Sequence, residues 1–200
     1  EHGFPVYLAW GNIFLGWVLT KQGQAEEGLA RIHQGLTAYR LSVFRPYFLA
    51  LLAEVHEKAG QIKEGSDVVA EALDLVGKTG QRFYEAELYR LKGELTLQKL
   101  SVVSCQLSVS STQHLTPSTP AEVEQQAEEC FLKAIEIAQK QQAKSWELRA
   151  SMSLARLWQQ QSKTAEAHKL LSKVYNWFTE GFDTKDLQEA KVLIDELSSH

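Results

Sequence analysis

The sequence predicts an all-α fold, a right-handed α-solenoid of about four helix pairs followed by a C-terminal capping helix. Three features predict it: a spacing of small and apolar residues that recurs four times, single glycines between helical segments, and an amphipathic last segment. Helical repeats of roughly 40 residues are typical of solenoids, which offer an extended binding surface and no catalytic pocket of their own.

The recurring spacing is the observation on which this fold prediction most depends. A small residue late in the first helix of a pair is followed twelve positions on by a second small residue. A bulky apolar residue comes four positions later, and usually a small residue three after that. Small residues let paired helices approach closely, and the apolar ones fill the space between neighbouring pairs. The four copies are Gly16/Gly28/Ile32/Gly35, Ala53/Gly65/Val69/Ala72, Gly93/Ala127/Phe131/Ala134 and Ala155/Ala167/Leu171/Val174.

The third copy carries an insertion between its two helices. Gly93 and Ala127 are 34 positions apart, which is 22 more than the spacing in the other copies. Residues 101–120 contain no charged side chain, and nine of the twenty are Ser or Thr, as in a low-complexity tract. We therefore predict an insertion at about 100–119, whose composition favours disorder. It is either a tolerated surface loop or a regulatory or aggregation-prone one.

Turn and cap residues set the predicted helix boundaries. Pro5, Pro46 and Pro120 stand at first-turn positions, where the missing N–H of proline is tolerated. Thr119–Glu122 has the pattern of a capping box, and Asp183 is the predicted N-cap of the last helix. The glycines that mark turns are Gly23, Gly60, Gly77, Gly80 and Gly181. The predicted helices are about 5–22, 25–40, 45–59, 62–77, 82–100, 120–141, 144–161, 163–179 and 184–198.

We expect one domain over residues 1–200. The repeats are predicted at about 5–42, 43–81, 82–142 and 143–181, with the capping helix at about 184–198. One face of that last helix is apolar and suits a cover for the final repeat. The chain begins at Glu1 without Met, so we expect a piece of a longer protein. The apolar residues that predict a further repeat before the first one are Phe4, Tyr7, Leu8 and Trp10.

Composition excludes several classes of function. The formal charge of −4 and the isoelectric point near 5.9 argue against a general nucleic-acid or anionic-membrane surface. No segment approaches the roughly 18 apolar residues of a membrane span. Cys105 and Cys130 are expected to be free thiols in a reducing compartment, which points to the cytoplasm.

No arrangement of residues predicts a catalytic, metal or cofactor site. The six histidines are scattered, and His56 is expected to be a packing residue. Gly77-Lys78-Thr79 resembles the end of a phosphate-binding loop but lacks the preceding glycine and strand. The tryptophans suit packing between helices better than a ligand cage. We therefore predict no enzymatic activity and no cofactor.

A binding groove follows from the register of the repeat. If the first helices of the pairs line the concave surface, five positions around each Gly16-type site point into the groove. The same register also places Glu87 in the groove. The candidate groove residues for binding are Glu54, Glu57, Arg90, Glu94, Arg149, Arg156 and Gln160. Such a groove could hold an acidic peptide, a helix or another domain. The alternative is that these charges pair only with each other and with water.

The pattern resembles the tetratricopeptide (TPR) family in a longer form of about 40 residues. Closer matches occur at 4–24, at 82–95 (RFYEAELYRLKGEL), at 143–158 (AKSWELRASMSLARLW) and at 175–184 (YNWFTEGFDT). These stretches are similar to the C-terminal helical regions of large bacterial signalling proteins. Such proteins carry a class III adenylate or guanylate cyclase domain, or another effector, before an AAA/STAND-type ATPase.

That resemblance implies a regulatory role without catalysis. The chain would be the C-terminal sensor or scaffold of a nucleotide-dependent signalling protein, with a protein, a peptide or the parent's own upstream domains as partner. A free-standing adaptor, and a receptor for a peptide or small molecule, remain open alternatives. The chaperone-binding version of the family is not supported, because the positions of its carboxylate clamp hold other residues: Ile13, Trp17, Leu51, Glu87 and Leu91.

Overall fold

The computed structural model describes residues 4–39, 44–107 and 119–199, with residues 101–107 described by their backbone alone. All regular secondary structure within these ranges is helical. The helices are α1 (Pro5–Lys21), α2 (Ala25–Ala38), α3 (Arg45–Lys58), α4 (Ile62–Thr79), α5 (Glu85–Leu107), α6 (Pro120–Lys140), α7 (Lys144–Gln160), α8 (Thr164–Tyr175) and α9 (Lys185–Ser198).

The helices group into two compact units, Glu1–Tyr84 and Glu85–His200, which we call unit 1 and unit 2. In unit 1, α1 packs on α2 and α3 packs on α4. In unit 2, α5 packs on α6, α7 packs on α8, and α9 covers both α7 and α8. We call the first member of each pair (α1, α3, α5 and α7) an A helix. The assignment of residues 1–200 to a single domain stays a prediction.

Backbone conformation explains most of the helix ends. Gly23, Gly60, Gly80 and Gly181 have positive φ angles, which glycine adopts without a steric penalty. Gly77 is different, because it lies inside α4, and the turn there is made by Gly80 alone. Prolines occupy the first turns of α1, α3 and α6, as the sequence predicts.

Predicted details of three helices are wrong. The helix α8 ends at Tyr175 and not near residue 179. The helix α5 does not end near residue 100 but continues through the first part of the insertion to Leu107. Residues 108–118 of the predicted insertion lie outside the described residues. At the last helix, Thr184 and not Asp183 is the N-cap, and its hydroxyl donates to the carbonyl oxygen of Gly181 at 2.7 Å. That bond closes the turn instead of capping the helix.

The capping box at α6 is confirmed. The backbone N–H of Glu122 donates to Thr119 Oγ1 at 3.3 Å, and the N–H of Thr119 donates to Glu122 Oε2 at 2.7 Å. Because both donors would otherwise lack a partner at the helix end, this pair fixes where α6 begins.

Small residues set the distance between α1 and α2. A Cβ placed on Gly16 would lie 2.5 Å from the carbonyl oxygen of Gly28, and one placed on Gly28 would lie 2.2 Å from Thr20 Oγ1. No side chain larger than hydrogen fits between these two backbones. Ile32, which is fully buried, fills the adjacent space. The first copy of the repeated spacing therefore marks a direct contact between helices.

In unit 2, the same spacing places a glycine against a phenyl ring instead of against a second glycine. A Cβ on Gly93 of α5 would lie 2.4 Å from Cε1 of Phe131 on α6, so the phenyl ring rests on the glycine backbone. Trp158 packs against the core on both sides of α7. The apolar face of α9 is buried as predicted, through Leu187, Ala190, Leu193 and Leu197.

We predict that Gly28→Ala destabilises unit 1 by about 1–3 kcal/mol, because the added methyl overlaps Thr20 and the α1 backbone. Gly77→Ala is the matched control. Gly77 is also helical, but nothing lies within 4 Å of its added Cβ, so this change should stabilise by about 0.5–1 kcal/mol. Urea unfolding of the two variants measures both. Equal effects would contradict a close helix contact at Gly28.

Candidate functional site

In unit 1, Glu54 joins two neighbouring A helices. It lies on α3, is only 9% exposed, and accepts hydrogen bonds from Trp17 Nε1 at 2.6 Å and from Lys21 Nζ at 2.5 Å, both on α1. The Lys21 ammonium also lies over the Trp17 ring, 5.1 Å from its centroid. Burial and the nearby Glu54 raise the pKa of Tyr47, which keeps this phenol neutral. Glu54 is therefore a structural anchor between the helices.

Glu57 lies one turn further along α3. Its side chain is only 9% exposed and lies 3.6 Å from the ammonium of Lys58, a lysine that is itself mostly exposed. A pair with one exposed partner contributes little to stability. The Glu57 side chain is thus as well shielded from water as that of Glu54, which is 11% exposed, although both were predicted to face the same groove.

In unit 2, the most buried charge of the A helices is Glu87 on α5, at 2% exposure. It receives two hydrogen bonds from Arg90, from Nε at 2.9 Å and from Nη2 at 2.8 Å. A second cation, Arg149 of α7, places Nη1 3.1 Å from the same carboxylate. One glutamate therefore holds two arginines from two helices, with the bidentate geometry that makes such pairs strong.

A second carboxylate completes the link between α5 and α7. Glu94 accepts from Arg90 Nη1 at 3.3 Å and from the Ser153 hydroxyl at 2.5 Å. Ser153 is buried on α7, where a larger side chain would hold the two helices apart. The group holds two carboxylates and two guanidinium groups, so its formal charges balance. Buried charged groups are tolerated when their charges balance and their hydrogen bonds are satisfied.

Outside this balanced core, α7 pairs with α9. Arg149 Nε lies 3.9 Å from Asp186 Oδ2, and Arg156 Nη2 lies 3.5 Å from Glu189 Oε2. Gln160, the last residue of α7, is exposed. The polar side chains of α5, α7 and α9 thus form a continuous row, which we call the polar seam. Its members are Glu87, Arg90, Glu94, Arg149, Ser153, Arg156, Asp186 and Glu189.

The structure brings together three of the residues predicted for the groove, Arg90, Glu94 and Arg149. The residue at the centre of them, Glu87, was placed in the groove by the register of the repeat, but its role as the common partner of both arginines was not predicted. The spacing of Glu87, Arg90 and Glu94 at i, i+3 and i+7 is a signal that could have identified it, since these positions share a helix face. Ser153 has no comparable signal, because its role depends on contact with another helix.

The polar seam has an inner and an outer part. The inner pairs are shielded: the side chains of Glu87 and Arg90 are 3% and 11% exposed. The outer pair of Arg156 and Glu189 is 47% and 42% exposed. Arg149 spans both parts and lies against the Trp146 ring, 5.4 Å from its centroid. Arg156 is therefore open to solvent, whereas the carboxylate of Glu87 is not.

Two histidines meet in unit 1. The rings of His33 on α2 and His56 on α3 are 6.1 Å apart, and His56 Nδ1 lies 2.7 Å from Gln61 Oε1. His56 is buried, as expected for a packing residue. Burial and the neighbouring His56 lower the pKa of His33 below 6.5.

The described residues contain no group of three or more His, Cys, Asp or Glu side chains that could hold a metal ion. Cys130 is half-buried, and burial raises the pKa of its thiol, which keeps the sulfur protonated and a poor nucleophile. In the ranges covered by the structure, no helix is long and apolar enough to cross a membrane.

We predict that Glu87→Gln destabilises unit 2 by about 3 kcal/mol, because it removes the main counter-charge of a buried arginine. Glu136→Gln is the control. Glu136 also contacts two cations, Lys133 and Lys140, but on the exposed surface of α6, where its loss should have little effect. Chemical unfolding measures both variants. Equal losses would contradict a special role for the buried carboxylate.

We predict that stability falls as the pH is lowered from about 7.5 to about 5.5. His33 has a lower pKa in the folded protein than in the unfolded chain, so the unfolded chain binds more protons as the pH drops past 6.5. His33→Gln should reduce this pH dependence of the melting temperature. Gln34→Ala, which alters an adjacent exposed residue without a titrating group, should leave it unchanged. A His33→Gln protein with the full pH dependence would contradict the assignment.

No family model and no curated protein matches this sequence. Solved structures share its fold. The kinesin light chain nearly identical TPR-like repeats of Podosopora anserina match with a TM-score of 0.61 at 17% identity, covering 100% of this chain and 88% of that one. A single-residue variant of the same repeats matches with a TM-score of 0.58 at 16% identity, covering 100% of this chain and 96% of that one.

The apo form of RapI matches with a TM-score of 0.56 at 11% identity. The match covers 96% of this chain and 48% of RapI, so this chain spans about half the length of RapI. Identities this low show the fold and nothing more specific. The predicted fold class, an all-α solenoid of TPR-like helix pairs, is confirmed.

Proposed function

We propose that this chain is a non-catalytic protein-interaction module that binds an acidic polypeptide segment along the outer polar seam. The observation that carries the proposal is the row of Arg149, Arg156 and Gln160 on α7. Spacings of seven and four residues place these three side chains along one face of the helix. They provide two guanidinium groups and an amide over about three helical turns, which matches the length of a short bound segment.

The outer ion pairs are suited to exchange. Arg156 and Glu189 are both largely exposed at 3.5 Å, and Arg149 and Asp186 are 3.9 Å apart. Such pairs are worth about 0–1 kcal/mol each. A partner carboxylate that binds an arginine with bidentate geometry can therefore replace them at small cost. The tight inner pairs to Glu87 and Glu94 hold the helices in place meanwhile.

The helix α9 shows which ligand chemistry fits. It lies against α7 and presents Asp186 and Glu189, one helical turn apart, to Arg149 and Arg156. A helical or extended partner with acidic residues at similar spacing would offer the same groups. The ring of Trp146 supports Arg149 from one side, which restricts the guanidinium orientation and favours planar recognition of a carboxylate.

We further propose that the module is the C-terminal sensor or scaffold of a larger nucleotide-dependent signalling protein in the cytoplasm. The support is the resemblance of residues 82–95, 143–158 and 175–184 to the C-terminal regions of such proteins. The partner would then be another protein or the parent's own upstream domains, held differently in two states of the parent. A free-standing adaptor and a receptor for a small effector are the alternatives.

The binding proposal is tested with a fluorescent poly-glutamate peptide, with poly-lysine as the control ligand. We expect saturable binding of poly-glutamate that weakens with salt. Arg156→Glu together with Gln160→Glu should lower the affinity at least about tenfold, because both changes add repulsion at exposed positions and leave the pair of Arg149 and Glu87 intact. Arg31→Glu is the matched control, since Arg31 is a similarly exposed arginine on α2. Equal losses in both variants, or no saturable binding, would contradict the site.

The signalling proposal is tested on the native polypeptide that contains residues 1–200. ATP hydrolysis and nucleotide cyclisation are measured with and without this segment. A clear change in rate on removal supports a regulatory domain and gives its sign. An unchanged rate, or no nucleotide-binding domain in that polypeptide, contradicts the signalling role and favours an adaptor.

A further inference from the structure

The helix α9 combines a buried apolar face with two acidic side chains that remain partly exposed. Its core residues belong to one cluster with those of α7 and α8, and they are Leu187, Ala190, Leu193 and Leu197. Asp186 and Glu189 lie beside that face and are only partly shielded from water. Because the apolar face holds the helix in place, these two side chains can change partners without movement of the α9 backbone.

The two carboxylates occupy the guanidinium groups to which the proposed acidic segment would bind. Asp186 Oδ2 lies 3.9 Å from Arg149 Nε, and Glu189 Oε2 lies 3.5 Å from Arg156 Nη2. A strong hydrogen bond between a guanidinium group and a carboxylate is shorter, at roughly 2.7–2.9 Å. A ligand carboxylate and the carboxylates of α9 would therefore compete for the same two arginines.

Each of these carboxylates also has an interaction that does not involve α7. Glu189 Oε1 lies 3.6 Å from Lys185 Nζ, one turn earlier on α9. Asp186 lies in the first turn of α9, where the helix dipole favours a negative charge. A carboxylate that loses its arginine therefore keeps a favourable interaction. Two arrangements follow for these side chains, one paired with α7 and one held by α9 alone.

We propose that Asp186 and Glu189 are internal competitors of the acidic segment, so that α9 sets the affinity of the outer polar seam. In the free protein they neutralise Arg149 and Arg156. A bound acidic segment displaces both carboxylates to their interactions within α9, and the helix stays docked. This competition rests on the proposed function, and it adds that the affinity is held below what the arginines alone would provide.

The two contacts differ in how much they should contribute to the competition. The pair of Arg156 and Glu189 is the shorter one, and both of its side chains are largely exposed. Arg149 is also held by the buried carboxylate of Glu87, so a ligand replaces only one of its partners. We therefore expect Glu189 to be the stronger competitor. Since exposed pairs are weak, it should lower the affinity several-fold and not block the site.

A second acidic residue of α9 provides a matched control. Asp195 is largely exposed and pairs with Lys191 at 2.5 Å. It lies six positions after Glu189, which corresponds to about 9 Å along the helix and about 120° around it. Asp195→Asn therefore removes one negative charge from α9, as Glu189→Gln does, but it removes no contact with the polar seam.

Titration of the intact 200-residue chain with fluorescent poly-glutamate tests the competition. Glu189→Gln should bind the peptide about two- to fivefold more tightly than the unaltered chain, because one competing carboxylate is gone. Asp186→Asn together with Glu189→Gln should bind more tightly still. Asp195→Asn should change the affinity less than about 1.5-fold, because salt screens distant exposed charges. Tighter binding by Glu189→Gln than by Asp195→Asn supports the competition. Equal affinities of these two variants overturn it.

A double-mutant cycle tests whether Glu189 acts through Arg156. In an Arg156→Gln background the competed guanidinium group is absent, so Glu189→Gln should raise the affinity less than about 1.5-fold. A gain confined to the background that keeps Arg156 supports direct competition. A gain of the same size in both backgrounds overturns it, because the effect would then come from the net charge of α9.

Failure of the competition can be distinguished from failure of the binding site. If the unaltered chain binds poly-glutamate saturably and Glu189→Gln does not bind it more tightly, the site stands and the competition is overturned. If neither the unaltered chain nor any variant binds saturably, the acidic-segment site is contradicted, and the competition with it. Circular dichroism and urea unfolding accompany each variant. We expect unchanged helix content and nearly unchanged midpoints, because the altered ion pairs are exposed.

Discussion

The close approach of paired helices is the constraint on which the rest of this structure depends. Between α1 and α2 it is set by Gly16 and Gly28, where a single added methyl would overlap the opposite backbone. In unit 2 the same register puts the ring of Phe131 on the backbone of Gly93. Because the A helices are held at these distances, their polar side chains meet those of the next A helix. The polar seam thus depends on small residues that are not part of it.

Within unit 2, the inner and outer parts of the polar seam differ in how deeply their side chains are buried, and they differ in role. Glu87 is shielded from water and holds arginines from α5 and α7, so it stabilises the helix arrangement. Arg156 has a partly exposed partner on α9 and is accessible to another molecule. Internal pairing is thus observed for the inner residues, and the proposed binding would involve the outer ones. Arg149 takes part in both, since it contacts the buried Glu87 and the exposed Asp186.

Much of the fold could be predicted from the sequence because its determinants are local or strictly periodic. The capping box of Thr119 and Glu122 depends on four consecutive residues, and the contact of Gly16 with Gly28 depends on a fixed spacing. The extension of α5 to Leu107 was missed because composition describes a tract's average character and not where a helix ends. The role of Glu87 as the partner of two arginines was not predicted, because it depends on α7 packing against α5. The sequence of α5 alone does not show which helix packs on it.

The most direct test of the proposed division between inner and outer charges is an NMR spectrum of isotope-labelled arginine side chains, titrated with the poly-glutamate peptide. The account predicts that the resonances of Arg149 and Arg156 shift with bound peptide, while that of Arg90 keeps its position because Glu87 holds it through Nε and Nη2. Arg31 and Arg45, which lie in unit 1, should not respond. Shifts at Arg31 and Arg45 of the same size as those at Arg149 and Arg156 would contradict a specific acidic-segment site.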